Sequence, residues 1–421
     1  MSFPSVPPKT RPIVPPVAAI DPPLLRSRVD DFYRERVEKH GSDLYLLRGR
    51  YPGPGAIQMR TNDYLDIARD ARIVAAEVAV LRRQGHGDAI SRVFVHNAED
   101  PYGQLERRIA RHVGAEDAVL CASGYCANIG LVQALASPET RVYVDMRAHA
   151  SLWQGIAAAG ASPTPFRHND PGYLDRLARR HGPGLVLVDA LYSTDGAVCP
   201  LADMVAVAEA HGCVLVVDET HSFGAQGPAG AGLTVALGLQ DRVHFRTIGL
   251  SKAVAARGGV VVGAARNMEF FRYEAFPAIF STGVLPHEVA GFGAALDIIG
   301  TEQWRRDRLH ANHAYLKAGL HDLGYNVEAS GAQIIALEAG ANEAVIVLRD
   351  ALEERGVFGS LFCPPATPRN RALIRFTLNA GLTRAQLDAV LRACAEVRGE
   401  VGMADWPSTR RRAPAPALAA E

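Results

Sequence analysis

Residues 215–227 read LVVDETHSFGAQG. The apolar run ends directly on a carboxylate, Asp218, and a histidine, His221, follows three residues later. A short apolar run that stops at polar and glycine residues reads as a buried strand, so the acid stands where burial is expected. A buried, unpaired carboxylate costs on the order of several kcal/mol or is forced neutral. Asp218 therefore calls for a cationic partner, supplied by the chain or by a ligand.

The same design recurs along the chain. AVLCA near 118, RVYVD at 141, GLVLVDALYS at 184, CVLVVDE at 213, VHFRTIG at 243 and GGVVVG at 258 alternate with segments of helical period. That alternation predicts a mostly parallel sheet between helices, an α/β fold. A helical region follows at about 283–323, then YNVEA, QIIALEAG, a helix near 342–355, VFGSLF, LIRFTLN and a last helix near 383–398. These read as a smaller α+β domain. The expected division is an N-terminal extension or arm over 1–55, proline-rich and extended to about residue 25, a large domain over 56–300, a small domain over 301–400 and a disordered tail over 401–421.

Composition narrows the function classes. The 421 residues are 48% hydrophobic, and 45 basic side chains balance 45 acidic ones. Nothing advertises a nucleic-acid or membrane surface, and no apolar run reaches the length of a membrane span. The proline-broken start MSFPSVPPKTRPIVPPV does not resemble a secretion signal, so the cytoplasm is the expected compartment. Six cysteines without CxxC spacing and histidines without HExxH signal neither a disulfide framework nor a metal site. Only four of the basic residues are lysines: Lys9, Lys39, Lys252 and Lys317. A lysine in an apolar, glycine-flanked segment is then a candidate for amine chemistry, because arginine does not lose its proton. Lys252, in RTIGLSKAVAARGGVVVG, is that lysine.

At the ends of the predicted strands stand Ser123-Gly124-Tyr125, His149, Ser193, Asp218 with His221, and Lys252. This set meets the needs of pyridoxal 5′-phosphate (PLP): a lysine amine for its aldehyde and an aspartate for its ring nitrogen. CASGYCANIG offers a small-residue turn opening a helix, suited to a phosphate. His149 would stack on the ring, and Ser193 and His221 would bond its phenolic oxygen. Taken singly, each residue is as readily a cap, a turn former or a structural histidine; the order of five such features on successive strands makes the case.

With these residues the chain resembles the α-oxoamine synthases, fold-type-I PLP-dependent transferases of the aspartate aminotransferase-like fold that join an amino-acid-derived carbanion to an acyl-CoA. The motifs are NDYL at Asn62, SGY-x-AN at Ser123, D-x-R-x-HASL ending at Leu152, YSTDG at Tyr192, VDETHSFGAQG at Val217, SKA with a following GG, and FST at Phe280. They run from Thr61 to Asn379, about three quarters of the chain. The resemblance implies that His149 stacks on PLP, that Ser193 and His221 face the ring oxygen, that Asp218 pairs with the pyridinium, and that Lys252 is the Schiff-base lysine and general base. It implies that Thr282 reaches the phosphate across a dimer interface, hence a homodimer with shared active sites. It also places Asn62 and Arg375 among the substrate residues.

Three departures stand out. The family's phosphate-binding Thr or Ser three residues before the lysine is Gly249 here, so Thr247 or Ser251 is expected to substitute. The histidine expected near the end of SRVFVHNAEDPYGQLE is Tyr102. In FCPPATP, Cys363 stands where an arginine grips the carboxylate of glycine, alanine or serine, and a thiol makes no bidentate clamp. With that cysteine the chain is similar to the α-hydroxyketone quorum-sensing autoinducer synthases, which join a medium-chain acyl-CoA to S-adenosylmethionine or 2-aminobutyrate. The alternatives are a standard synthase making 8-amino-7-oxononanoate, 2-amino-3-ketobutyrate or a sphingoid base, a PLP-binding module without turnover, and a Rossmann-type oxidoreductase. The last lacks its GxGxxG.

Overall fold

A computed structural model describes residues 22–36, 49–88 and 90–410. The chain divides into two units at Tyr51–Pro52. In the first, Pro23–Arg36 is a helix, so the stretch expected to be extended to about residue 25 is corrected over 23–25; the residues before Pro22 lie outside the described ones.

Alternation within each strand builds the centre. In the strand Leu185–Asp189 every residue is buried. Val186 and Val188 enter one apolar cluster with Tyr143, Leu215 and Val217, while Leu185 and Leu187 enter another with Val142, Val144 and Val216. Successive side chains of a strand point to opposite faces, so a continuous run of Val and Leu feeds two cores at once. Each such side chain contributes about 1.5–3 kcal/mol when fully buried.

The strands are β1 (Ile57–Gln58), β2 (Asp117–Cys121), β3 (Val142–Asp145), β4 (Pro163–Phe166), β5 (Leu185–Asp189), β6 (Val214–Asp218), β7 (Phe245–Gly249), β8 (Gly259–Gly263), β9 (Ile334–Gly340), β10 (Val357–Phe358), β11 (Ser360–Phe362) and β12 (Ala372–Thr377). A seven-stranded sheet has the order β2-β8-β7-β6-β5-β3-β4. Its pairs are parallel except those of β8, which runs antiparallel to β2 and β7. This is the mostly parallel sheet expected of the fold that the chain resembles. Strand β4, PTPF, escapes a reading by β-propensity because it holds two prolines; it lies at the sheet edge, where proline costs no ladder bond.

Strands β11, β12 and β9 form an antiparallel sheet, flanked by the helices Gln303–Asp322, Asn342–Glu354 and Arg384–Glu400. YNVEA, expected as a strand, pairs with nothing there: Asn326 instead turns its amide to the Ser408 carbonyl oxygen. VFGSLF is split at Gly359, where a Cβ would come within 2.4 Å of Ile374. Its first half, β10, pairs with β1 in parallel, so the segment read as the start of the large domain is bonded to the C-terminal half. The tail expectation is corrected over 401–410. Val401, Met403, Trp406 and Ser408 are buried, the Trp406 indole donates to the Val401 carbonyl oxygen, and Pro407–Arg410 is helical. Trp406 supplies the burial that a composition rich in Arg, Ala and Pro conceals. Residues 411–421 lie outside the described residues.

Candidate active site

The parallel strands β3, β5 and β6 end on Asp145, Asp189 and Asp218, with Asp189 and Asp218 side by side in the register. Ligands of open α/β sheets bind beyond these carboxyl ends. Asp218 is 4% exposed. One of its oxygens accepts from Asn128 Nδ2 at 2.7 Å and the other from the Thr220 N–H at 2.9 Å. Among the described residues no cation pairs with it. Asp189 accepts from the His149 N–H, and its carboxyl is pushed well above the usual range by burial and then by Asp218 beside it.

Asn128 belongs to the site and was not among the residues expected there. Its amide donates to Asp218 and Ser151 and accepts from the Thr247 hydroxyl at 2.6 Å. It sits one turn after Gly124 on the helix Gly124–Leu135; the SGY-x-AN motif carried the signal. This removes Thr247 from the expected phosphate role, because its fully buried hydroxyl is committed to Asn128. Ser251 is exposed. Asn128→Ala would leave the Thr247 hydroxyl and one Asp218 oxygen without their bonds. A loss of about 1–3 kcal/mol in denaturant unfolding is expected.

Ser123 caps that helix by accepting from the Cys126 N–H. The Gly124 and Tyr125 N–H groups, at the positive end of the helix dipole, have no acceptor among the described residues. Chain segments close in around this turn: a Cβ on Gly124 would come within 2.7 Å of Gly249 Cα, and one on Gly259 within 2.4 Å of the Ser123 carbonyl. His149 caps the next helix, with its Nδ1 2.7 Å from Ser151 Oγ and its ring edge-on to Tyr125.

On the other side of the site, Lys252, His221 and Arg375 act on one another. Burial, then the Arg375 charge, lowers the Lys252 amine from its usual range, with Asp218 opposing. Burial and the charges of Lys252, Arg375 and His149 hold His221 well below the usual range of an imidazole, so it is neutral. Tyr64 Oη lies 2.5 Å from His221 Nδ1 although 157 residues separate them; it belongs to the same NDYL motif as Asn62, the residue expected there. Arg375 is 6% exposed and, among the described residues, donates only to neutral oxygens, those of the Ser193 carbonyl at 2.8 Å and the Asn62 amide at 3.3 Å. Its buried Nε has no partner. Thr282 is exposed, away from this cluster in sequence and element.

A cavity of about 670 Å³ opens beside His149 and Ser193, walled by Trp153, Phe362, Pro365 and Ala366. Cys363 is not in that wall: it is buried, with its thiol turned to the Pro364 carbonyl oxygen. The expectation that Cys363 faces substrate is corrected accordingly, since Phe362 and its neighbour 363 present opposite faces of an extended chain.

The residues fit PLP by the chemistry they leave unsatisfied. Among the described residues, a buried carboxylate with no cation in ion-pair contact, a partly buried lysine with no anion in ion-pair contact and two N–H groups without an acceptor at a glycine-crowded helix start match a ring nitrogen, an aldehyde and a phosphate. No cluster of His, Cys, Asp or Glu among the described residues is arranged to hold a metal ion, and none of their helices is long and apolar enough to cross a membrane.

The family model for aminotransferase class I and II matches residues 56–393. The CAI-1 autoinducer synthase of Vibrio campbellii is 39% identical over 92% of this chain and 96% of its own length. The 8-amino-7-oxononanoate synthase of Anaeromyxobacter dehalogenans is 37% identical over 82% of this chain and 87% of its own. A solved structure of serine palmitoyltransferase with PLP superposes with a TM-score of 0.78 at 31% identity, covering 82% of this chain and 88% of that one.

Proposed function

The chain belongs to the class I and II aminotransferase family and, within it, to the PLP-dependent α-oxoamine synthases, and we propose that it condenses a medium-chain acyl-CoA with S-adenosylmethionine or 2-aminobutyrate. The product would be an aminoketone or enaminone precursor of an α-hydroxyketone autoinducer. The likeness to the Vibrio campbellii enzyme supports this choice. The single observation that carries an amino-acid donor is Arg375, a buried guanidinium without an anion among the described residues, beside Lys252 and His221; the choice of S-adenosylmethionine or 2-aminobutyrate over smaller amino acids rests on that likeness. A buried cation with only neutral acceptors calls for an anionic ligand, and an amino-acid carboxylate supplies one.

When bound, PLP provides the electron sink that stabilises negative charge at the donor Cα. Asp218 holds the proton on the ring nitrogen, with Asn128 and Thr220 fixing both carboxylate oxygens. Burial favours the uncharged Lys252 amine, which suits it to take the Cα proton. His149 and Ser193 line the cavity that receives substrate. Overall, one carbon–carbon bond forms between Cα and the thioester carbonyl carbon, CoA leaves as its thiol, the carboxylate leaves as CO2, and a proton returns to Cα. With S-adenosylmethionine, methylthioadenosine is also eliminated.

We read the assembly as a homodimer in the cytoplasm, with Thr282 contributing to the partner's site. Phe94, Phe276 and Phe280 are exposed, the last two in ring contact and Phe280 two residues before Thr282; exposed apolar surface of this kind marks an interface. We likewise keep 56–300 and 301–400 as the large and small domains.

The test is a matrix of acyl-CoAs and amines with products identified by mass spectrometry. A product carrying the acyl group and the amine is expected, the amine less CO2 when it comes from 2-aminobutyrate and less CO2 and methylthioadenosine when it comes from S-adenosylmethionine. Turnover confined to glycine, alanine or serine would return the chain to the standard synthases. Arg375→Leu is expected to raise KM for the amine about tenfold or more, the worth of one charge-assisted pair, with a smaller change in kcat.

A further inference from the structure

The two hydroxyls expected near the phosphate are one committed and one exposed, and a third stands in the space concerned. Thr220 lies just beyond Asp218, where the chain leaving β6 crosses the end of β7, its course fixed by the bonds from the Thr220 N–H to Asp218 and from the Glu219 N–H to the Thr247 carbonyl oxygen. Its Oγ1 accepts from the Gly249 N–H at 2.8 Å. A Cβ built on Gly249 would come 2.8 Å from Thr220 Cγ2 and 3.0 Å from its Oγ1. One built on Gly124 would be 3.9 Å from the same Oγ1. The Thr220 oxygen therefore occupies the volume into which a side-chain hydroxyl on residue 249 would project, beside the helix start that carries the free Gly124 and Tyr125 N–H groups. The proton on this hydroxyl has no acceptor among the described residues.

We propose that the Thr220 hydroxyl is the side-chain donor to the cofactor phosphate in this chain, having moved there from the end of β7 as Gly249 made room for it. The inference rests on the PLP site described above. It makes residues 220 and 249 a coupled pair: the space holds one β-hydroxyl side chain, contributed by either strand end but not by both. Thr220 thus acts as a positioning residue for the cofactor, two residues from the carboxylate that addresses its ring nitrogen.

The experiment titrates cofactor-free full-length protein with PLP and with pyridoxal, which lacks the phosphate, and reads the ratio of the two dissociation constants. Thr220→Val is expected to weaken PLP binding about tenfold, as for one charge-assisted bond to an anion, with little change for pyridoxal, while Thr220→Ser keeps the wild-type ratio. Gly249→Thr alone should also weaken PLP, because its Cβ meets Thr220. The double variant Thr220→Ala with Gly249→Thr should restore the wild-type ratio to within about threefold, the diagnostic of a hydroxyl exchanged between two strand ends. An unchanged ratio in Thr220→Val, or a double variant no better than Thr220→Ala, would overturn the assignment. Wild-type protein that does not prefer PLP over pyridoxal would remove the cofactor site itself, and the proposal with it.

Discussion

Lys252→Ala is expected to lower turnover by about 10³-fold or more, the scale of losing a positioned base that is also the covalent anchor. The chain has few amines, and of its four lysines only Lys252 and Lys317 fall among the described residues. Lys317 donates to the Glu328 carbonyl oxygen on the C-terminal half, whereas Lys252 lies with Asp218, His221 and Arg375. Borohydride reduction of protein with bound cofactor should fix a phosphopyridoxyl group on Lys252, found by peptide mapping. The alanine variant should still take up PLP, more weakly and without a reducible linkage. Label on Lys317 would sink the assignment.

Asp218→Asn is expected to cost about 10²-fold or more in kcat, because a neutral amide no longer holds the proton on the ring nitrogen. The structure adds a second effect. Both Asp218 oxygens accept, one from Asn128 and the other from the Thr220 N–H. An amide offers a single oxygen, so whichever way it turns, its NH2 meets a donor. About 1–3 kcal/mol of stability should be lost with the rate. Rates are therefore to be compared at matched cofactor occupancy. Activity within a few-fold of wild type under that condition would make Asp218 a structural cap.

The Arg375 prediction separates from these two by its kinetic signature. Arg375 touches Asn62 and the Ser193 carbonyl, not the Asp218 network. Its loss should appear in KM for the amine. Cys363, by contrast, turns its thiol to the Pro364 carbonyl oxygen, away from the cavity wall.

The sequence by itself determined the α/β class, the order of the strands bearing chemistry, and Asp218, Lys252, His149 and His221 as the residues to watch. These were legible because a buried strand is a local signal, a run of Val and Leu filling two cores, and because a charged group at its end contradicts that run. Strand β4 was hidden by its prolines, and the short structure at 403–410 by an unpromising composition. Only the tertiary structure decided how polar groups are shared among elements distant in the chain. Asn128 was claimed by Asp218 and Thr247, Tyr64 by His221, and the Gly249 N–H by Thr220. A hydroxyl or amide looks the same in sequence whether it is free for a ligand or already bonded. Which of the two holds depends on the partners that folding brings within about 3 Å: the Thr247 hydroxyl is spent on Asn128, while the proton of the Thr220 hydroxyl, which accepts from Gly249, is left for the phosphate contact proposed above.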